Sequence, residues 1–164
     1  MTTSLTPLSA PAWRRELTDA RARYEELLGW PVSIQSGRRN LCVLVGGTVG
    51  AVGMPARLGA QVRQELGFAM LRCPIAADPG GGWWTFLTKP VGMLRADVAQ
   101  DLAAVRVRVA ARGTSVEIPC GLNASTIGGW RWVERPAPNR PLHPGSVVVS
   151  MVRRLTYDDG HLAA

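Results

Sequence analysis

The sequence has few of the residues on which metal sites and acid–base catalysis depend. It contains two histidines and three cysteines, and no CxxC or HxxxH spacing occurs, so a zinc site is not expected. Cys42, Cys73 and Cys120 are odd in number and far apart, which favours three small buried thiols. A nucleophilic pairing of one of these thiols with His143 is the weaker alternative.

Long apolar runs and a targeting signal are also lacking. The longest apolar run, Leu41 to Ala56, is too short and too rich in glycine to span a bilayer. Near the N-terminus, Trp13 to Glu16 stand where a signal peptide would need its apolar core. We therefore predict a cytoplasmic protein with reduced cysteines and no membrane partner.

Acidic residues are outnumbered. Twelve carboxylates stand against 19 basic side chains, of which only Lys89 is a lysine, and the net charge is +7. A positive charge favours phosphate groups or acidic surfaces as partners. No predicted strand carries the DxD or ExE pair that metal-dependent nucleotidyl transfer requires. Asp97 and Asp101 share a helix face, a spacing more typical of a solvated helix. We therefore expect no metal site, no cofactor and no catalysis.

What is present predicts a folded chain of alternating helices and strands. The expected class is α+β (mixed α/β), with helices packed on a mostly antiparallel or mixed sheet. We expect one domain over residues 9–156, with flexible tails at 1–8 and 157–164. The last element, from Ser146, fits a helix or a strand. Helices are predicted at 9–29, 55–66 and 94–104, and strands at 30–35, 41–45, 49–54, 69–76, 84–88 and 129–136.

The segment RVRVAARGTSVEIPC predicts a β-hairpin with one basic face. Valines alternate with Arg106 and Arg108 before the turn at Arg112-Gly113, and the alternation continues after it. Arg131 lies on a strand expected nearby, and Arg38 and Arg39 lie in the predicted turn 36–40. Such a face can hold single-stranded nucleic acid by phosphate pairing and stacking. The alternative is a solvated face on which Arg106 or Arg108 pairs with Glu117.

The stretch DPGGGWWTFLTKP excludes two phosphate-binding loops. A Walker A loop needs Lys and then Ser or Thr after its last glycine, and Trp83 and Trp84 occupy those places. A dinucleotide-binding loop needs a helix after the glycines, whereas a strand is predicted here. A flexible connection into a strand is the simpler interpretation.

Four stretches in order resemble the N-terminal catalytic domain of bifunctional DNA primase/polymerases, the archaeo-eukaryotic primase (PrimPol) superfamily. The resemblance is greatest to short actinobacterial members that keep the fold and lose the active site, and it covers most of the chain from about Tyr24 to Pro136. It implies a PrimPol-like α/β core. The stretches are WPV at Trp30 to Val32, NLCVLVGGTVGAVGMP at Asn40 to Pro55, GGGWWTFL at Gly80 to Leu87, and RGTSVEIP followed by GWRWVERP.

The departures from the family imply a catalytically inactive relative. The metal-binding acid pair would fall around Val52 to Pro55, the nucleotide-contacting histidine at Trp84 and the third acid near Arg108. The resemblance thus implies a module that binds single-stranded DNA or a nucleotide, or one that regulates. The alternative is a protein–protein interaction module whose former cleft is filled by tryptophan and methionine. The nucleic-acid-binding candidates are Arg38, Arg39, Trp84, Arg106, Arg108 and Arg131.

Overall fold

The computed structural model describes residues 10–123 and 129–161, with side chains described up to Tyr157. The class is α+β, as predicted, with helices and two antiparallel sheets. The helices are α1 (Ala12–Leu28), α2 (Ala56–Phe68), α3 (Ala96–Ala104) and α4 (Gly145–His161). The strands are β1 (Val32–Gln35), β2 (Asn40–Leu44), β3 (Gly50–Pro55), β4 (Ile75–Ala77), β5 (Trp83–Thr88), β6 (Arg108–Val109), β7 (Ser115–Ile118) and β8 (Arg131–Glu134).

The larger sheet has the strand order β6-β3-β5-β4-β8. Its first four strands, with α2 and α3, follow the chain order β-α-β-β-α-β, which is the split βαβ (ferredoxin-like) arrangement. Strand β8 extends this sheet beyond β4. Helices α2 and α4 cover one face, where Val52, Met54 and Phe86 meet Val62 and other apolar residues in a buried core. This side of the sheet is called the helix face below.

The smaller sheet has the order β1-β2-β7 and packs with α1 around a second core. In that core Leu17 and Tyr24 of α1 lie with Leu41 and other apolar strand residues. Ala51 of β3 and Leu87 of β5 belong to it as well, so the smaller sheet covers part of the larger sheet opposite the helix face. The rest of that opposite face borders a cleft.

The predicted hairpin is wrong, because its two strands belong to different sheets. Strand β6 pairs with β3 in the larger sheet, whereas β7 pairs with β2 in the smaller one. The first half of the predicted strand instead ends α3: Val107 N donates to Leu102 O, and Arg106 has a left-handed φ of 60°. Alternation therefore identified which side chains share a face, and not which strands pair.

Other boundaries also moved. Helix α1 begins at Ala12 with Pro11 at its N-cap position, and the predicted cap Ser9 and the tail 1–8 lie outside the described residues. Gly67 does not stop α2, which ends at Phe68. The chain then turns through Met70, whose φ is 58°, so the strand predicted at 69–76 is reduced to β4.

The C-terminal element is a helix, α4, and it continues to His161 within the segment predicted as a tail. None of the helices in the described part of the chain is both long enough and apolar enough to cross a membrane.

Candidate functional site

A cleft of about 540 Å³ separates the larger sheet from the edge of the smaller one. It lies where the chain passes from β6 to β7, so the two strands that were predicted to pair instead form two of its walls. We call it the inter-sheet cleft. Its polar and aromatic lining includes Arg38, Trp83, Thr85, Arg108, Glu117 and Trp130.

The floor of the cleft is built by Trp83, Gly53 and Arg108. Successive side chains of a strand alternate between faces, so β5 points Trp83 and Thr85 to the cleft. A Cβ atom at Gly53 would lie only 2.7 Å from Trp83 Nε1, which means that the indole occupies the space a side chain would need. Opposite Gly53 in the ladder, Arg108 holds its guanidinium carbon over the Trp83 ring, 5.6 Å from the ring centroid.

The cleft wall formed by β7 carries an ion pair. Arg38 Nη1, from the β1–β2 turn, donates to Glu117 Oε1 at 2.8 Å. The hydrogen bond and charge of Glu117 raise the pKa of the Arg38 guanidinium. The predicted alternative, in which Arg106 or Arg108 pairs with Glu117, is therefore wrong: the partner comes from the β1–β2 turn, because β7 lies beside β2 and not beside β6.

Cys42 stands opposite Glu117 in the β2–β7 ladder and lines the same cleft. Burial, with a smaller contribution from the neighbouring Glu117 carboxylate, raises the pKa of the Cys42 thiol to about 11. A thiol with this pKa is protonated at neutral pH, so Cys42 is not an activated nucleophile.

Trp84 lies on the other side of the sheet. It packs with the core beneath α2, where a Cβ at Gly59 would lie 2.9 Å from Trp84 Cε3. Its Nε1 is buried and has no hydrogen-bond partner in the part of the chain that the structure describes. The predicted nucleic-acid-binding residue Trp84 therefore does not line the inter-sheet cleft. Its neighbour Trp83 takes the cleft position.

Three of the predicted arginines also lie away from the cleft. Arg131 stands opposite Ala77, which stands opposite Trp84, so Arg131 belongs to the helix face. Arg106 is exposed in the turn after α3. Arg39 has its guanidinium over the ring of Trp13 on α1, 5.2 Å from the centroid. Of the six predicted residues, the cleft brings together Arg38 and Arg108.

The sequence held one signal for the residue that was missed. A glycine inside a strand often marks a close approach by another group, and Gly53 is such a glycine, with Trp83 against it. The alternation of β5 did not separate Trp83 from Trp84, because both are apolar and either face is compatible with an indole.

Acidic side chains are scarce at this site. Among the described residues that line the cleft, Glu117 is the only carboxylate, and it pairs with Arg38. Over residues 10–123 and 129–157, no group of three His, Cys, Asp or Glu side chains is arranged to hold a metal ion. The cationic group of the cleft that has no carboxylate partner among the described residues is the Arg108 guanidinium, which lies over the Trp83 indole.

Comparison of the chain with protein-family models, with curated proteins and with solved structures finds no match. The chemistry of the cleft is therefore the basis on which a function can be proposed.

Proposed function

We propose that the chain is a catalytically inactive primase/polymerase-like domain that binds single-stranded nucleic acid or a nucleotide in the inter-sheet cleft. The observation that carries the proposal is the Arg108 guanidinium over the Trp83 indole in a concave site. Guanidinium groups bind phosphate, and aromatic rings stack with bases. The cleft volume of about 540 Å³ lies within the usual range for small-molecule sites.

The charge of the cleft supports a phosphate-bearing ligand. Glu117 neutralises Arg38, whereas Arg108 forms no ion pair with any carboxylate of the described residues. The cleft therefore carries one uncompensated positive charge within a chain of net charge +7. A guanidinium without a carboxylate partner is available to pair with a phosphate.

We propose that the domain is catalytically inactive because the metal-binding carboxylates would have to stand where the Trp83 ring lies. The resemblance puts the metal-binding pair around Val52 to Pro55, and within that stretch Gly53 lines the cleft. A carboxylate at Gly53 would collide with the Trp83 ring. Two-metal nucleotidyl transfer requires carboxylates that hold the ions, and Trp83 fills the volume of one.

The proposal includes a cytoplasmic location. The three cysteines Cys42, Cys73 and Cys120 are free and buried. Free thiols are typical of a reducing compartment, where disulfides are rare.

The test is a titration of a fluorescein-labelled single-stranded oligonucleotide at two salt concentrations. We expect binding that weakens as salt rises, and a loss of about tenfold in affinity in Arg108→Ala, as expected for one charge-assisted phosphate contact. Arg106→Ala and Arg131→Ala are matched controls, because each removes one exposed arginine outside the cleft. The oligonucleotide affinity of both control variants should stay within about twofold of that of the unmodified chain. Like Arg108→Ala, each of them lowers the net charge by one, so the overall charge is matched.

Two outcomes would overturn the proposal. The first is no binding of the folded chain at low salt, which would favour the protein-interaction hypothesis. The second is an equal loss in Arg106→Ala, Arg108→Ala and Arg131→Ala, which would indicate attraction by the overall charge. Primer synthesis and extension with magnesium or manganese should give no product, and a product would show that the domain is an active enzyme.

A further inference from the structure

We propose that Arg108 gates the inter-sheet cleft, so that its ligand must carry both a base and a phosphate. The guanidinium occupies the place over Trp83 that a stacked base would take. A base that enters the cleft displaces the guanidinium from the Trp83 ring. The displaced guanidinium then pairs with the phosphate of the same ligand. This inference rests on the proposed function and narrows the ligand to nucleotides, as opposed to nucleosides or inorganic phosphate.

The Trp83 ring is the fixed part of this arrangement. Its backbone N–H donates to Asp78 Oδ1 at 3.0 Å, and its carbonyl accepts from the Asp78 N–H at 3.0 Å. The edge of the indole that carries Nε1 lies against Gly53, so the ring cannot sink further toward the sheet. A ligand therefore meets a ring whose position is set before binding.

The Arg108 side chain is the movable part. It extends from the two-residue strand β6 at the edge of the larger sheet and is exposed. Its backbone is held by pairing with Gly53, and Ala110 N donates to Ala51 O just beyond it. The guanidinium has no carboxylate partner among the described residues. When it moves, the contact that it loses is therefore the cation–π contact with the Trp83 indole.

The balance of contacts decides which ligands enter. Stacking of a base on an indole is stronger than an exposed cation–π contact. A nucleoside still displaces the guanidinium without offering it a partner, whereas a nucleotide offers a charge-assisted hydrogen bond to phosphate. Inorganic phosphate can accept hydrogen bonds from the guanidinium, but it has no base to stack on the Trp83 ring. A nucleotide is therefore expected to bind best.

Substitution of Arg108 separates the two halves of the gate. In Arg108→Ala the ring is uncovered, so adenosine should bind about threefold more tightly, as expected when a weak cation–π contact no longer competes. AMP should bind about tenfold more weakly, because one charged hydrogen bond is lost. Arg108→Lys keeps the charge without the planar guanidinium, so it should retain part of the affinity for AMP.

The experiment measures AMP, adenosine and inorganic phosphate by calorimetry on the full chain, with Arg106→Ala as the matched control. The indole N–H signal of Trp83, assigned by its loss in Trp83→Phe, reports occupation of the ring. We expect the unmodified chain to prefer AMP to adenosine by about tenfold, and this preference to be lost or reversed in Arg108→Ala, because AMP binds more weakly there and adenosine more tightly.

The outcomes distinguish the gate from the site itself. If the unmodified chain binds AMP, and Arg108→Ala weakens AMP and adenosine equally, the gate is wrong while the proposed function stands. If the chain binds neither AMP nor a single-stranded oligonucleotide, the proposed function fails and the gate with it. Arg108 is exposed at a sheet edge, so its substitution should leave the melting temperature unchanged. An unchanged melting temperature will show that the Arg108→Ala variant is folded.

Discussion

Trp83 and Trp84 are consecutive residues of β5, yet they serve opposite sides of one sheet. Trp83 lines the inter-sheet cleft beside Arg108, whereas Trp84 packs beneath α2 with the core of the helix face. Each indole lies against a glycine, Gly53 for Trp83 and Gly59 for Trp84. The same residue type, one position apart, thus lines an open cleft on one face and packs against a buried core on the other.

The largest effect that tests this comparison is the loss of an indole. Trp84→Ala should lower the free energy of unfolding by about 3 kcal/mol or more, since it leaves a cavity between α2 and the sheet. Trp83→Ala should cost about 1 kcal/mol, because its ring borders an open cleft. Urea denaturation followed by far-UV circular dichroism measures both.

The matched variant Trp84→Phe keeps a ring and removes the unpartnered Nε1–H, so it should lose less than half as much as Trp84→Ala. Equal losses in Trp83→Ala and Trp84→Ala would contradict the assignment of the two faces.

The glycine that accommodates Trp84 gives the next largest effect. A Cβ at Gly59 would lie 2.9 Å from Trp84 Cε3, so Gly59→Ala should destabilise the protein by about 1–2 kcal/mol despite the helix propensity of alanine. Gly67→Ala in the same helix meets no atom within 4 Å and should stabilise by about 0.5 kcal/mol. The difference in melting temperature between these two variants is the measurement, and variants of equal stability would show that Trp84 is not held against α2.

The fold was predictable in class because apolar periodicity identifies the elements. The helices predicted at 9–29, 55–66 and 94–104 correspond to α1, α2 and α3, whose buried apolar residues include Leu17, Val62 and Leu102. Strand pairing was not predictable. The alternation on both sides of Arg112-Gly113 is compatible with a hairpin, and it is equally compatible with two strands that join different sheets. The difference is made by long-range contacts with β2 and β3, which local patterns do not contain.

The site was predictable only in part for the same reason. Arg38 and Arg108 reach the cleft, whereas Arg39, Arg106 and Arg131 do not, although all five are exposed arginines next to predicted strands. Which of them converge depends on strand pairing, which places β6 beside β3 and β7 beside β2. Trp84 was named because the resemblance puts a nucleotide-contacting histidine there, whereas Trp83, one residue earlier and so on the other face of β5, lines the cleft.

Gly53→Ala tests the cleft side of the comparison. The added methyl group would lie 2.7 Å from Trp83 Nε1, so the indole must move into the open cleft, at a cost in stability of about 1 kcal/mol or less. Gly53→Ala and Trp83→Ala should both lower the affinity for the oligonucleotide, and by a similar factor. In Gly53→Ala the reason is that the displaced ring fills the place of a base. The measurement pairs the melting temperature with the fluorescein titration. An unchanged affinity would mean that the ring position does not matter for binding.

The smallest effect concerns the ion pair on the cleft wall. Glu117→Gln removes a carboxylate whose partner, Arg38, is 74% exposed, so the free energy of unfolding should change by about 0.5 kcal/mol or less. Affinity for a single-stranded oligonucleotide should nevertheless rise about threefold, because Arg38 is released and the cleft loses the one carboxylate among its described lining residues.

Glu134→Gln is the matched control, because Glu134 pairs with Arg63 and Arg72 beside α2 on the helix face. Both variants change the net charge equally, so a rise confined to Glu117→Gln would assign the effect to the cleft and not to the overall charge. An equal rise in both would indicate that the protein attracts phosphate with its whole surface. The two faces of the sheet would then differ in stability alone, with Trp84 holding the fold and Trp83 without a ligand.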